Sequence, residues 1–162
     1  MSEELNDNRS LIEKSKVVLA DTFLLYMKAH SYHWNVIGSD FPQYHKFFGK
    51  LYEELHDSID IMAEQIRQLD SFAPSTLSRM IELSTLTEDD KIPAPQTMIK
   101  NLYETNDKVV ETIKECYELA EELKEYAYSN ILQDRLSAHA KHKWMLRSLM
   151  QVKKVNDRRS LQ

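Results

Sequence analysis

The stretch PQYHKFFGKLYEELHDSIDIMAEQIRQLDS, residues 42–71, decides the fold class. Within it Leu55, Ile59, Met62, Ile66 and Leu69 recur at intervals of four, three, four and three, which puts all five on one side of an α-helix. A strand would alternate its faces every second residue, and this run does not. Pro42 suits the first turn, where its missing N–H has no intrahelical partner to lose. The reading is a core helix over about 42–71.

The same period continues to either side. Upstream, Ile12, Leu19, Tyr26 and His33 recur every seven residues, with Phe23 and His30 filling in, so a first helix runs from about Ser10 to Ile37. Gly38 and Ser39 end it. Downstream, Pro74, Pro93 and Pro95 and the acidic run Glu88 to Asp90 interrupt the pattern between Phe72 and about Ala94, although Thr76 to Leu83 fits a short helix. Ile99, Leu102, Val109, Ile113, Cys116 and Ala120 then mark a helix over about 95–123, and Ala138, His142, Met145, Leu149 and Val152 mark another over about 129–155. Only six of the 162 residues are glycine or proline, about a third of average usage, which excludes turn-rich β architectures.

Four long helices with one long middle connection define an all-α four-helix bundle with one crossover containing a short helix, which is the ferritin-like connectivity. The expected organisation is a flexible tail over 1–9, a bundle over 10–155 and a polar tail over 156–162. A formal net charge of −5 argues against general attraction to nucleic acid or an anionic membrane. A single cysteine, Cys116, has no internal disulfide partner and reads as a small core residue; MSEELNDNRS at the N-terminus lacks a secretory pattern, and no stretch is apolar enough to span a bilayer. The cytoplasm is the expected location.

Bundles of this connectivity often hold two irons among a glutamate from each of two helices and a Glu-x-x-His from each of the other two. This chain has one such motif, Glu53 to His56, and no glutamate in its last helix, so that centre is not expected within one subunit. Another set remains. His33 and His45 flank the turn around Gly38, and Asp60 and Glu64, four apart, share a helix face. Two imidazoles and two carboxylates suit iron, zinc or manganese. His45 and Asp60 are 15 residues apart, roughly 22 Å along a helix, so one straight helix cannot bring both to one ion. If the four share a metal, the carboxylates come from a second subunit, and two-fold symmetry creates two equivalent sites.

At these residues the sequence resembles the Dps family, the ferritin-like mini-ferritins. The resemblance rests on His33-Trp34-Asn35-Val36 with Gly38, Phe41 and His45, on Ile59-Asp60-Ile61-Met62-Ala63-Glu64-Gln65, where Gln65 replaces the usual arginine, and on His142-Lys143-Trp144-Met145-Leu146-Arg147. It implies a cage of twelve subunits with ferroxidase centres at two-fold interfaces, taking His33 and His45 from one subunit and Asp60 and Glu64 from its partner. Ferrous iron is oxidised there, typically by hydrogen peroxide, and stored as ferric iron, protecting against oxidative damage. Trp34 beside a ligand is a candidate electron trap. Asp134 is a candidate for the pore, and Glu53, Glu54 and Asp57 for mineral nucleation, because Lys46 and Lys50 stand where family members tend to carry acids. Gly49 occupies a position where the family commonly has a carboxylate. The alternative is a nucleoid-associated protein that binds and protects DNA, with weak or lost ferroxidase activity. Its lysine-rich N-terminal arm is replaced by Glu3, Glu4 and Asp7, leaving Lys153, Lys154, Arg158 and Arg159 as the local basic cluster.

Overall fold

The computed structural model describes residues 2–150, with side chains from residue 8 onward, and among these it is all α-helical. The chain runs through α1 (Ser2–Asn35), α2 (Phe41–Gln68), a short α3 (Leu77–Leu83), α4 (Pro95–Glu122) and α5 (Tyr126–Met150). Helix α1 packs against α2, α3 and α4, and α4 packs against α5. The sequence expectation placed a tail over 1–9, whereas helix begins at Ser2. Nothing in 2–9 breaks a helix, since the stretch holds neither glycine nor proline. The polar stretch 156–162, Val152 and the cluster Lys153, Lys154, Arg158 and Arg159 lie outside the described residues.

The core shows which readings of periodicity hold. All six apolar positions expected of α4, from Ile99 to Ala120, are buried. In α1 the expected Leu19 is fully buried, but Ile12, Phe23, Tyr26, His30 and His33 are only half-buried, and the deeper line is Leu11, Val18, Leu25 and Tyr32, one residue earlier. A helix touching three others buries a broad arc, and the row read from sequence lies at its edge. In α5 the expected Ala138, Met145 and Leu149 are half-buried, while Leu132, Arg135, His139, His142 and Leu146 form the buried line.

Three local devices fix the connections. Gly38, at φ +113°, makes the turn between α1 and α2 in a conformation that side chains disfavour. Between α4 and α5 the link is only three residues: the chain turns at Lys124, φ 59°, and Glu125 N–H closes on the Ala120 carbonyl at 2.9 Å. That tight closure is why α5 starts at Tyr126 rather than near Ser129. The crossover is tied down by fully buried Asp21, whose carboxylate accepts from Ser84 Oγ (2.6 Å), Thr85 N–H (2.7 Å) and Thr85 Oγ1 (2.8 Å). Asp89 in the same connection pairs with Lys28 at 2.9 Å and accepts from the Tyr32 hydroxyl.

Candidate metal centre

His33 sits in the last turn of α1 and His45 in the second turn of α2, and the turn at Gly38 folds one over the other. Their rings stack with centroids 3.7 Å apart and an interplanar angle of 21°. Each Nδ1 lies beside the other residue's backbone carbonyl, His33 Nδ1 at 2.7 Å from His45 O and His45 Nδ1 at 2.8 Å from His33 O. A carbonyl oxygen only accepts, so each Nδ1 carries a proton, and the tautomer this selects has its lone pair on Nε2. Neither Nε2 has a partner among the described residues. The same bond caps α1, because the His33 carbonyl is one of the orphans at its C-terminal end. Backbone oxygens on Nδ1 are the usual arrangement for orienting metal-binding imidazoles.

Gly49, one turn after His45, packs against this pair. A Cβ on it would stand 3.2 Å from His33 Nδ1 and 3.3 Å from Cε1. The missing side chain is what admits the ring. Around the pair, Phe41 stacks on His45 at 5.0 Å and Tyr52 meets His33 edge-on at 5.2 Å. Tyr52 also stacks on His30 at 3.9 Å, and His30 lies 4.1 Å from exposed Trp34. Burial, then the charges of His33 and His56, lower the His30 pKa. The result is a half-buried row of rings running from the imidazole pair to the surface.

Asp60 and Glu64 are exposed on α2 and make no hydrogen bond or ion pair among the described residues. Among those residues, no three histidine, cysteine or carboxylate side chains of one chain gather around a common point. The structure thus brings together the imidazoles but not the carboxylates. That separation agrees with the helix-length argument.

Glu54 departs from the role its sequence position suggested. Its carboxylate accepts from Arg135, including Nη2 at 3.1 Å, and from His142 Nε2 at 3.1 Å, joining α2 to α5 across the bundle. Burial pushes this carboxyl up, but the hydrogen bonds from His142 and Arg135 and their charges win and hold it well below the carboxylate range. Next to this triad, His139 donates from Nδ1 to Asn106 Oδ1 at 2.8 Å, and Asn106 Nδ2 donates to the His139 carbonyl at 3.1 Å. The guanidinium already neutralises Glu54, so a cation finds no spare charge there. Sequence reasoning missed this polar core because its members occupy positions that apolar patterning assigns to aliphatic side chains; the signal was the histidine pair at i, i+3. Glu53, Asp57, Asp134, Lys46 and Lys50 are exposed. Cys116 is buried, between Ser15 Oγ at 3.7 Å and the Tyr128 hydroxyl at 3.6 Å, and burial raises its thiol pKa, leaving a protonated core residue.

The ferritin-like domain family matches residues 16–155. A Helicobacter pylori protein named DNA protection during starvation protein is 33% identical over 132 residues, covering 81% of this chain and 92% of that protein. General stress protein 20U of Bacillus subtilis is 27% identical over 143 residues, 88% of this chain and 99% of that one. Among solved structures, Dps from Thermosynechococcus elongatus superposes with a TM-score of 0.89 at 20% identity, covering 91% of this chain and 94% of that one. Dps from Bacillus brevis gives 0.86 at 25% identity, covering 90% and 97%. The chain belongs to the ferritin-like family and, within it, to the Dps proteins. None of the helices described is long and apolar enough to cross a membrane.

Proposed function

We propose that this protein oxidises ferrous iron, with hydrogen peroxide as oxidant, at sites shared between two-fold-related subunits, and stores the ferric product inside a cytoplasmic cage of twelve copies. The observation that carries this reading is the reciprocal hydrogen bonding of His33 and His45. It prepares two Nε2 donors with no third ligand beside them among the described residues. Asp60 and Glu64, exposed and unpaired, supply the complementary half from the partner. Two ferrous ions, one peroxide and two protons give two ferric ions and two waters, so no hydroxyl radical leaves the site. The imidazoles hold and orient the ferrous substrate, and the carboxylates favour the ferric charge state. Trp34, reached from His33 through the ring contacts of Tyr52 and His30, is placed to give up an electron to stray oxidising equivalents. Asp57 remains as an exposed acid for mineral nucleation, and Asp134 as a pore acid.

The test is anaerobic ferrous titration of the metal-free protein followed by a peroxide pulse, with iron oxidation followed optically. Pairing His33→Ala with Asp60→Ala abolishes the fast phase; an unchanged fast phase rejects the site. The name of the Helicobacter pylori relative favours a second reading, protection of DNA. With a net charge of −5, that protection is assigned to removal of iron and peroxide rather than to coating of the polyanion.

A further inference from the structure

The proposed pairing fixes more of the interface than the iron ligands. Two equivalent sites require His45 of each chain to meet Asp60 and Glu64 of the other. Parallel α2 helices about a two-fold axis would set His45 against its own copy, so the helices run antiparallel. Facing positions then lie symmetrically about the axis. With His45 opposite 60–64, the axis crosses α2 between residues 52 and 55.

Counting about 100° per residue around α2 from His45, Tyr52 and His56 fall within about 20°, Asp60 at about 60°, Glu53 at about 80° and Glu64 at about 100°. Glu53 therefore lies between Asp60 and Glu64 on the arc that must face the partner. It has no hydrogen bond or ion pair among the described residues. The His56 side chain is 65% exposed; its ring rests on Tyr26 at 5.4 Å, on the α1 side of the same arc, and its Nδ1 lies 3.7 Å from Asp57, beyond hydrogen-bond reach. Facing positions sum to about 105–109, so position 53 of one chain lies opposite about 52–56 of the other, which brings Glu53 and His56 of the two chains together across the axis.

We propose, resting on the shared-site reading above, that the single Glu-x-x-His motif, doubled by the two-fold axis, forms a further divalent-cation site, one per pair of chains, built from two imidazoles and two carboxylates. Four donors of this kind suit a tetrahedral borderline ion, and zinc is the natural probe. The site lies between the two iron sites and is distinct from both. Its ion bridges the subunits at the middle of the α2 pair.

Native mass spectrometry of the metal-free assembly titrated with zinc reads the site by stoichiometry. The expected wild-type count is three ions per two chains. His56→Ala removes one and leaves two; Glu53→Gln, which keeps the side chain's shape, removes the same ion. Equal counts in wild type and both variants overturn the proposal. Asp60→Ala separates the two readings, because it removes the two shared ions and retains the axial one. Unchanged zinc in Asp60→Ala with one ion lost in His56→Ala rejects the shared iron site while the axial site stands.

Discussion

Replacing Gly49 by alanine tests whether the imidazole pair is built around that glycine. In an ordinary helix interior, glycine to alanine stabilises by about 1 kcal/mol, and Gly49 has no positive φ to make alanine strained by itself. Here the new Cβ stands 3.2 Å from His33 Nδ1, a few tenths of an ångström too close. The ring has nowhere to go. Its Nδ1 is bonded to His45 O at 2.7 Å, its face lies on His45 at 3.7 Å between centroids, and Tyr52 closes its side. Tilting it off its rotamer costs about 0.5–1.5 kcal/mol, and weakening the Nδ1 hydrogen bond costs about 1 kcal/mol more. These outweigh the propensity gain by about 0.5–1.5 kcal/mol, so the thermal midpoint falls by a few degrees. Metal binding carries the larger effect: disturbing the partner that orients a ligating imidazole lowers affinity about 10- to 100-fold. Anaerobic calorimetric titration with ferrous iron, paired with a thermal scan, measures both. A midpoint raised by about 2–4 °C, the full propensity gain for a domain of this size, together with unchanged affinity refutes the reasoning.

Two further outcomes follow from the polar core. Glu54→Gln leaves Arg135 and His142 facing a neutral amide and lowers stability by about 1–3 kcal/mol, toward the low end because the Glu54 side chain is 38% exposed; an unshifted urea midpoint contradicts it. Burial, then the charges of Arg135 and His142, hold His139 well below its ordinary pKa against the opposing pull of Glu54. The unfolded chain therefore binds a proton there that the folded one refuses. The stabilisation is complete above the unfolded value of about 6.5 and is lost by up to about 1.4 kcal/mol per pH unit as pH falls below it. Glu54, held low in the fold, adds a separate loss below about 4.5. Urea midpoints across this range should fall with acid in the wild type and flatten between about pH 6.5 and 5 in His139→Gln; the same slope in both sinks the assignment.

What was legible in the sequence follows from what each helix touches. Helix α4 presents one face to the bundle, so a single periodic stripe marks it without error. Helix α1 is surrounded, so its apolar residues are spread too widely for one stripe to locate the core. Helix α5 uses Arg135, His139 and His142 as interior residues; the stripe included His142, but polarity hid Arg135 and His139 because patterning cannot see that Glu54 and Asn106 wait opposite. Glu54 was read as a mineral-nucleation acid for the same reason, since an ion pair 81 residues away in sequence leaves no local mark.

The candidate site divides along the same line. His33 and His45 are linked through a short turn, so the interval of 12 residues and the glycine between them were enough to bring the rings together. Asp60 and Glu64 are within the same helix as His45, and that continuity, by forbidding them from reaching back, carried the inference to a second subunit. Gly49 looked like the loss of a ligand. In the fold its missing side chain is space occupied by His33. A side chain at position 49 presses a few tenths of an ångström into this ring placement, so the position separates two designs: a glycine that lets the imidazoles stack and bond to each other's backbone, or an acid that requires His33 to shift. This chain has the first design, and in the proposed site the weight of iron binding falls on the two imidazoles and on the partner's carboxylates.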